Sequence, residues 1–185
     1  MTIELNGSLL LLGAGKMGSA LLSGWLSGGL EREKIKIVDP KPLPNIQNLI
    51  STYELAHNPE PSPVDVIVLA VKPQILDQVL AQAKDFITQE SLIISIAAGR
   101  RLSSIEALLP SNCSVIRTMP NTPAEIGMGI TVACANGHVS EGQKNLCHQL
   151  LQSVGEVDWI EDEDLMDAVT AVSGSGPAYV FHFME

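Results

Sequence analysis

The sequence predicts an α/β fold: a doubly wound, mainly parallel sheet with helices on both faces. Two observations predict it. Short runs at Ser8–Leu12, Ile35–Val38, Val64–Val71 and Leu92–Ile96 are almost wholly apolar, as strands buried on both faces must be. Between them, apolar residues recur at helical spacing. Strand, helix, strand, helix is the order of a parallel sheet built from crossover units.

The elements follow in order. Ser8–Leu12 is the first strand. Met17, Ala20, Leu21, Gly24, Trp25 and Gly28 then share one helix face, and Ile35–Val38 is the second strand. The Pro-rich stretch Asn45–Pro63 predicts a weak helix and a short strand. Val64–Val71 is a third strong strand, and Ile75, Leu76, Val79, Leu80 and Ala83 repeat at helical spacing after it. Leu92–Ile96 is the next strand. Ser103 with Glu106 reads as a capping box opening a short helix. Val115 and Ile116 lie in a further strand, and Gly129–Ala133 in another. Ser140 with Gln143 predicts a second capping box, ahead of a helix bearing Leu146, Cys147, Leu150, Leu151 and Val154. Leu165–Val172 is helical in character. Ser173-Gly-Ser-Gly-Pro177 then breaks the chain, and Pro177 suits the first turn of a new helix. That helix runs through Tyr179–Met184 and stops at Glu185 without a cap. This predicts a chain that ends inside a second, helical domain, with a docked natural C-terminus as the alternative.

Composition narrows the function classes. A chain of 185 residues, 45% apolar and 17% charged, has a real core and is not a disordered segment. Only 4% is aromatic, so that core is aliphatic. Eleven Lys and Arg against 21 Asp and Glu give a net charge of −10. Such a chain repels phosphate, which excludes a general affinity for nucleic acid or an anionic membrane surface. Cys113, Cys134 and Cys147 are odd in number and lack a C-x-x-C spacing, which argues against a disulfide framework and a zinc site. The four histidines have no metal-ligand spacing, and no metal is expected. Met1 to Leu12 has no basic n-region, and Leu9–Leu12 is too short for a signal peptide. No stretch reaches the ~20 apolar residues of a membrane span. The expected location is the cytoplasm.

Gly13-Ala14-Gly15-Lys16-Met17-Gly18 is a G-x-G-x-x-G motif that follows a strand and opens a helix, the context in which it is informative. Gly13 permits a tight turn, Gly15 lets the backbone approach a pyrophosphate, and Gly18 lets the helix pack close to the strand. A Rossmann-type dinucleotide site is the reading; a glycine turn without a ligand is the alternative. Asp39 ends the second strand roughly 20 residues beyond Gly18, where a carboxylate meets an adenosine ribose and repels a 2′-phosphate. Asp39-Pro40 is also compatible with a plain turn. Lys72, in Ala70-Val71-Lys72-Pro73, stands at a strand end, poised for cofactor phosphate or ribose or else simply solvated. Ser95-Ile-Ala-Ala-Gly99 supplies small residues where a flat nicotinamide needs close approach. Arg117-Thr-Met-Pro-Asn-Thr-Pro123 is expected to follow a strand as a loop stiffened by two prolines, with Asn121 and Thr122 turned to the cofactor. No Ser/His/Asp arrangement is present, and no catalytic residue is named.

Together these blocks resemble the pyrroline-5-carboxylate reductase family. Gly-Ala-Gly-Lys-Met-Gly is shared with many dehydrogenases. Arg-Thr-Met-Pro-Asn-Thr-Pro at 117–123 and Asp167-Ala-Val-Thr-Ala-Val-Ser-Gly-Ser-Gly-Pro-Ala-Tyr179 are specific to the family. The resemblance implies reduction of 1-pyrroline-5-carboxylate to L-proline, the last step of proline biosynthesis, with NADP(H) or NAD(H). It implies a pyrophosphate loop at Gly13–Gly18 and ribose and nicotinamide contacts at Asn58, Ala70, Val71, Lys72, Pro73, Ala97 and Ala98. On the substrate side it implies Glu163, Ser175 and Gly176. Similar enzymes usually carry small or basic residues where Asp39 stands, which leaves the choice of cofactor open. They also continue beyond Glu185 into a helical domain that makes a homo-oligomer and holds most of the substrate site. The resemblance therefore implies an NAD(P)-binding Rossmann domain at 1–162, the start of a helical dimerisation and substrate domain at 163–185, and an inactive isolated chain. Two alternatives are the cofactor module of another Rossmann reductase, such as a 3-hydroxyacid dehydrogenase, and a non-catalytic nucleotide-binding or assembly protein. The Ser-Gly-Ser-Gly-Pro block argues against the former; fold alone does not exclude the latter.

Overall fold

Leu9–Leu12 form β1, and all four side chains are fully buried. Each contributes about 1.5–3 kcal/mol by leaving water. The computed structural model describes residues 3–184, without the side chain of Ala178. Met1, Thr2 and Glu185, on which the readings of the two chain ends partly rest, lie outside the described residues.

Seven strands join β1: β2 (Ile35–Val38), β3 (Ala56–His57), β4 (Val66–Leu69), β5 (Leu92–Ser95), β6 (Ser114–Met119), β7 (Gly129–Ala135) and β8 (Gly155–Trp159). The sheet order is β3-β2-β1-β4-β5-β6-β7-β8. Leu9 registers against Ile35 on one side and Val66 on the other, both in parallel. Only β6 and β7 run antiparallel, with Thr118 facing Ala133, and β8 again follows β7 in parallel. The order is that of a Rossmann-type fold with two added strands.

Side chains alternate across the sheet, so β1 feeds two cores. Leu9 and Leu11 pack with α1 (Lys16–Ser27), α2 (Pro44–Tyr53) and α5 (Glu141–Gln152). Leu10 and Leu12 pack with α3 (Leu76–Gln82), α4 (Leu102–Glu106) and α6 (Met166–Val169). Ala20, Leu21 and Trp25 turn inward from α1, as their spacing predicts. The Trp25 indole Nε1 donates to the Leu150 carbonyl at 2.9 Å and ties α1 to α5. A Cβ on Gly24 would stand 2.6 Å from Val154 Cγ1, so this contact needs a glycine.

Several expectations change. The Ser140–Gln143 capping box is present, and the weak helix and short strand within 45–63 appear as α2 and β3. The Ser103–Glu106 box is not: Ser103 lies inside α4, and its N-cap, Arg101, makes no side-chain cap bond. Glu106 instead accepts from Asn136 Nδ2 at 2.7 Å. Arg117, Thr118 and Met119 belong to β6, not to the loop after it, because they register with β5 and β7. Strand β8 escapes the sequence reading: it lies at the sheet edge, and its alternation of half-buried with exposed residues leaves a weak apolar signal. Finally, the break near Ser173–Pro177 takes the form of a π turn at Thr170–Gly174; after Ser175 a new helix, α7 (Gly176–Met184), opens with Pro177 in its first turn, as read. A Cβ on Gly174 would meet Met119 Cε at 2.5 Å, so close approach explains this glycine.

All three cysteines are free and buried. Burial pushes the Cys147 thiol well above its ordinary range and raises those of Cys113 and Cys134. We expect none of the three to react quickly with a thiol reagent at mildly alkaline pH, and all to react after unfolding in guanidinium. Trp25→Ala should cost about 3–5 kcal/mol in urea denaturation, and Trp25→Phe about 1–2 kcal/mol, since the ring survives but its hydrogen bond does not.

Candidate functional site

The strand order reverses between β1 and β4, so the chain leaves these neighbours toward opposite faces and opens a crevice at their carboxyl ends. The turn out of β1 makes its floor. Gly13 adopts φ +84°, and its N–H donates to the Val38 carbonyl at 2.9 Å. A Cβ there would lie 2.6 Å from Val71 Cγ1. Gly18 is buried, and a Cβ on it would stand 2.6 Å from the Gly13 carbonyl. Gly15 is different: a Cβ on it would meet nothing within 4 Å. Its backbone faces open space at the N-cap of α1, which has no side-chain cap. The first-turn amides, from Lys16 onward, lack intrahelical acceptors and sit at the positive end of the helix dipole. This arrangement can hold a diphosphate.

On the β2 side, Asp39 holds the turn in shape. One carboxylate oxygen accepts from Ala14 N–H at 2.7 Å and the other from Lys41 N–H at 2.8 Å. Asn58 clamps the backbone of Asp39. Its Oδ1 accepts from Asp39 N–H at 3.0 Å, and its Nδ2 donates to the Asp39 carbonyl at 3.2 Å. Asn58 does this from a left-handed conformation, φ +45°. Both residues therefore stand at the predicted edge with their polar groups already bonded to protein.

On the other side of β1, Ala70, Val71, Lys72 and Pro73 lead from β4 into a 3-10 turn at Pro73–Ile75. Lys72 is exposed and the others are half-buried. Between this turn, Asp39 and α3 lies a cavity of about 610 Å³, bounded by Gly13, Gly15, Val38, Val71, Val79, Ala83 and Phe86 among others. Its mainly apolar wall suits a flat ring. Of the residues that repeat at helical spacing here, Ala83 is buried and Val79 packs against the core, Ile75 is exposed, and all three line the cavity.

After β5 the chain passes through Ala97, which is buried, to Ala98 and Gly99, which are exposed, with Gly99 at φ +71°. Asn121 lies at the same edge beyond β6, but its amide is engaged: Oδ1 accepts from Ile130 N–H at 2.9 Å, and Nδ2 donates to Ser173 Oγ at 3.2 Å. Asn58, Asp39, Gly13–Gly18, Ala70–Pro73, Ala97–Ala98 and Asn121 thus follow strands β3, β2, β1, β4, β5 and β6 along one edge. At ~4.8 Å per strand spacing, β2 to β5 spans roughly 14 Å.

The three substrate-side residues separate. Ser175 and Gly176 lie at the junction of the π turn and α7, half-buried, and a Cβ on Gly176 would meet nothing within 4 Å. Glu163 points into the sheet. Its Oε1 accepts from Arg117 Nη1 at 2.8 Å and from Leu102 N–H at 2.8 Å. Arg117 is only 3% exposed, and Asp167 Oδ1 lies 3.7 Å from its Nη2. Two further pairs flank this one: Arg101 with Asp164, and Arg100 with Asp77. Sequence reasoning found none of these pairs, and no local spacing signals partners 46, 63 and 23 residues apart. Among the described residues, no group of three or more His, Cys, Asp or Glu is placed to hold a metal ion, and no helix is long and apolar enough to cross a membrane.

Comparison with known proteins bears on this geometry. Residues 8–99 match the family described as NADP oxidoreductase, coenzyme F420-dependent, and residues 163–185 match pyrroline-5-carboxylate reductase dimerisation. A pyrroline-5-carboxylate reductase of Pseudomonas aeruginosa is 40% identical over 177 residues, 94% of this chain and 65% of the relative. The chain thus spans about two thirds of the length of such curated relatives. The structure of a Coxiella burnetii pyrroline-5-carboxylate reductase superposes with a TM-score of 0.88 at 31% identity, covering 97% of this chain and 68% of that one. That of Plasmodium falciparum pyrroline carboxylate reductase, with NADP bound, gives 0.82 at 32% identity, covering 96% and 66%.

Gly18→Val should push α1 off the Gly13 turn and cost about 1–3 kcal/mol of stability by thermal or urea unfolding. Gly15→Ala, at the open position, should leave stability within about 0.5 kcal/mol.

Proposed function

Because the chain belongs to the pyrroline-5-carboxylate reductase family, we propose that it forms the cofactor-binding part of an enzyme that reduces 1-pyrroline-5-carboxylate to L-proline with NADPH or NADH. One observation carries this reading: the uncapped start of α1 follows Gly15, where a Cβ would meet nothing within 4 Å and which lines a cavity of about 610 Å³ at the strand reversal. The residues fit a dinucleotide. Gly13 and Ala14 shape the turn on which Gly15, Lys16, Met17 and Gly18 hold the diphosphate. Asp39 and Asn58 border the adenosine ribose, with Ala70, Val71, Lys72 and Pro73 opposite. Ala97 and Ala98 support the nicotinamide, and Asn121 braces the far end of the edge. Ser175 and Gly176 face the substrate. Residues 1–162 act as the nucleotide domain, and 163–185 begin a helical dimerisation and substrate domain of a cytoplasmic homo-oligomer. In support, Tyr179, Val180, Phe181, Phe183 and Met184 on α7 are all exposed.

Reduction of the cyclic imine adds a hydride to the imine carbon and leaves a proton on nitrogen. Bound cofactor supplies the hydride from its reduced nicotinamide ring. The chain's own task is alignment. The glycine turn would hold the diphosphate at the middle of the nucleotide, and Ala97 and Ala98 would support its nicotinamide ring in a fixed orientation toward the imine carbon. A protonated imine accepts hydride readily, so the described residues need supply no acid.

Fluorescence titration tests the reading. We expect NADH and NADPH to bind below millimolar concentration; no binding of either would overturn it. Asp39 carries the choice between them. Its carboxylate, fixed by two backbone amides, opposes a 2′-phosphate. Asp39→Asn should shift relative affinity toward NADPH by about tenfold, or 1.4 kcal/mol. Wild-type protein binding NADPH tenfold tighter than NADH would remove Asp39 from this role.

A further inference from the structure

We propose that Glu163 is a positioning residue: it fixes the Ala97–Arg101 loop and couples it to the helical segment that follows β8. The inference rests on the reading that this loop seats the nicotinamide. Short α4 begins immediately after the loop, and Arg101 at its N-cap makes no side-chain cap bond. The missing acceptor comes from 61 residues away, as Glu163 Oε1 at 2.8 Å from Leu102 N–H. The same oxygen accepts from Arg117 Nη1 at 2.8 Å. Arg117 is 3% exposed within the sheet. A guanidinium buried to that degree cannot release its counter-charge without a large penalty, so Glu163 is held in place and holds α4 in turn.

Other restraints act on the same loop. At its start, Thr118 Oγ1 donates to the Ser95 carbonyl at 3.1 Å, and Ala97 N–H donates to Ser95 Oγ at 3.3 Å. At its end, Asp164 pairs with Arg101, while Asp77 of α3 pairs with Arg100. Between these anchors only Ala98 and Gly99 stand exposed. A platform pinned at both ends presents one geometry to a flat ring, and sub-ångström placement of that ring governs hydride transfer. Glu163 and Asp164 also open the segment that runs through α6 to Ser175. The nicotinamide and substrate sides therefore share one anchor.

The test uses Glu163→Gln and Glu163→Ala, two ligands and one ligand-free measurement. ADP-ribose reports on the adenosine and diphosphate half alone; NADH reports on both halves. We expect Glu163→Ala to weaken NADH by about fivefold or more while ADP-ribose stays within about twofold. Glu163→Gln, which keeps an acceptor for Leu102 N–H, should fall between it and wild type. Amide hydrogen exchange at 97–102 without nucleotide should quicken in the same order. Equal loss of both ligands, or no change in either, overturns the proposal, as does unchanged exchange. If Glu163→Ala does not fold, Glu163→Gln decides by the same comparison. If wild type binds neither ligand, the cofactor reading fails, and the exchange rates alone decide whether Glu163 restrains the loop.

Discussion

A helix that begins without a cap has to find acceptors for its first amides elsewhere, and this constraint organises the nucleotide edge of the molecule. At α1 no side chain supplies them. The turn before α1 is packed so closely that Gly13 and Gly18 leave no room for a Cβ, while Gly15 opens outward. The contrast is informative. Two glycines are demanded by protein contacts, and the third is not. An anion is the partner that satisfies free amides at a positive helix end.

Charge does the remaining work of shaping that edge. The chain is strongly acidic overall, yet its carboxylates at the site are turned to backbone amides or buried guanidinium groups. Asp39 bonds to Ala14 and Lys41; Glu163 bonds to Leu102 and Arg117. Each ties a loop to a distant element, so the loops are held by the rest of the fold rather than by their own sequence. A carboxylate satisfied by two N–H groups still carries its negative charge, so Asp39 keeps a fixed negative charge at this edge.

The far end of the sheet is built differently. The reversal between β6 and β7 adds a pair of strands beyond the parallel set. From there α6, a π turn and α7 carry the chain over the same edge. The apolar side chains of α7 lie exposed, in keeping with the match of residues 163–185 to a dimerisation segment.

Much of this was legible in the sequence. Strands β1, β4 and β5 announce themselves because burial on both faces demands nearly continuous aliphatic runs, and β2 by its apolar Ile35, Ile37 and Val38. The α1 and α5 faces and the Ser140–Gln143 cap follow from local spacing, and so does the glycine turn, since its chemistry is contained in six consecutive residues. Other features could not be read this way. Edge strand β8 buries too little to leave a pattern. The cap of α4 comes from Glu163, not from neighbouring Ser103, and Arg117 proved to be a strand residue with a buried partner. The resemblance implied roles for Asn58 and Glu163, and the proline-stiffened loop one for Asn121, but the partners that occupy their polar atoms are set by packing. Short-range periodicity and steric demands are written into adjacent residues, so the sequence by itself determined the buried strands, the amphipathic helices and the glycine turn. Pairing between charges tens of residues apart depends on which strands become neighbours, so only the tertiary structure decided how the loops are held.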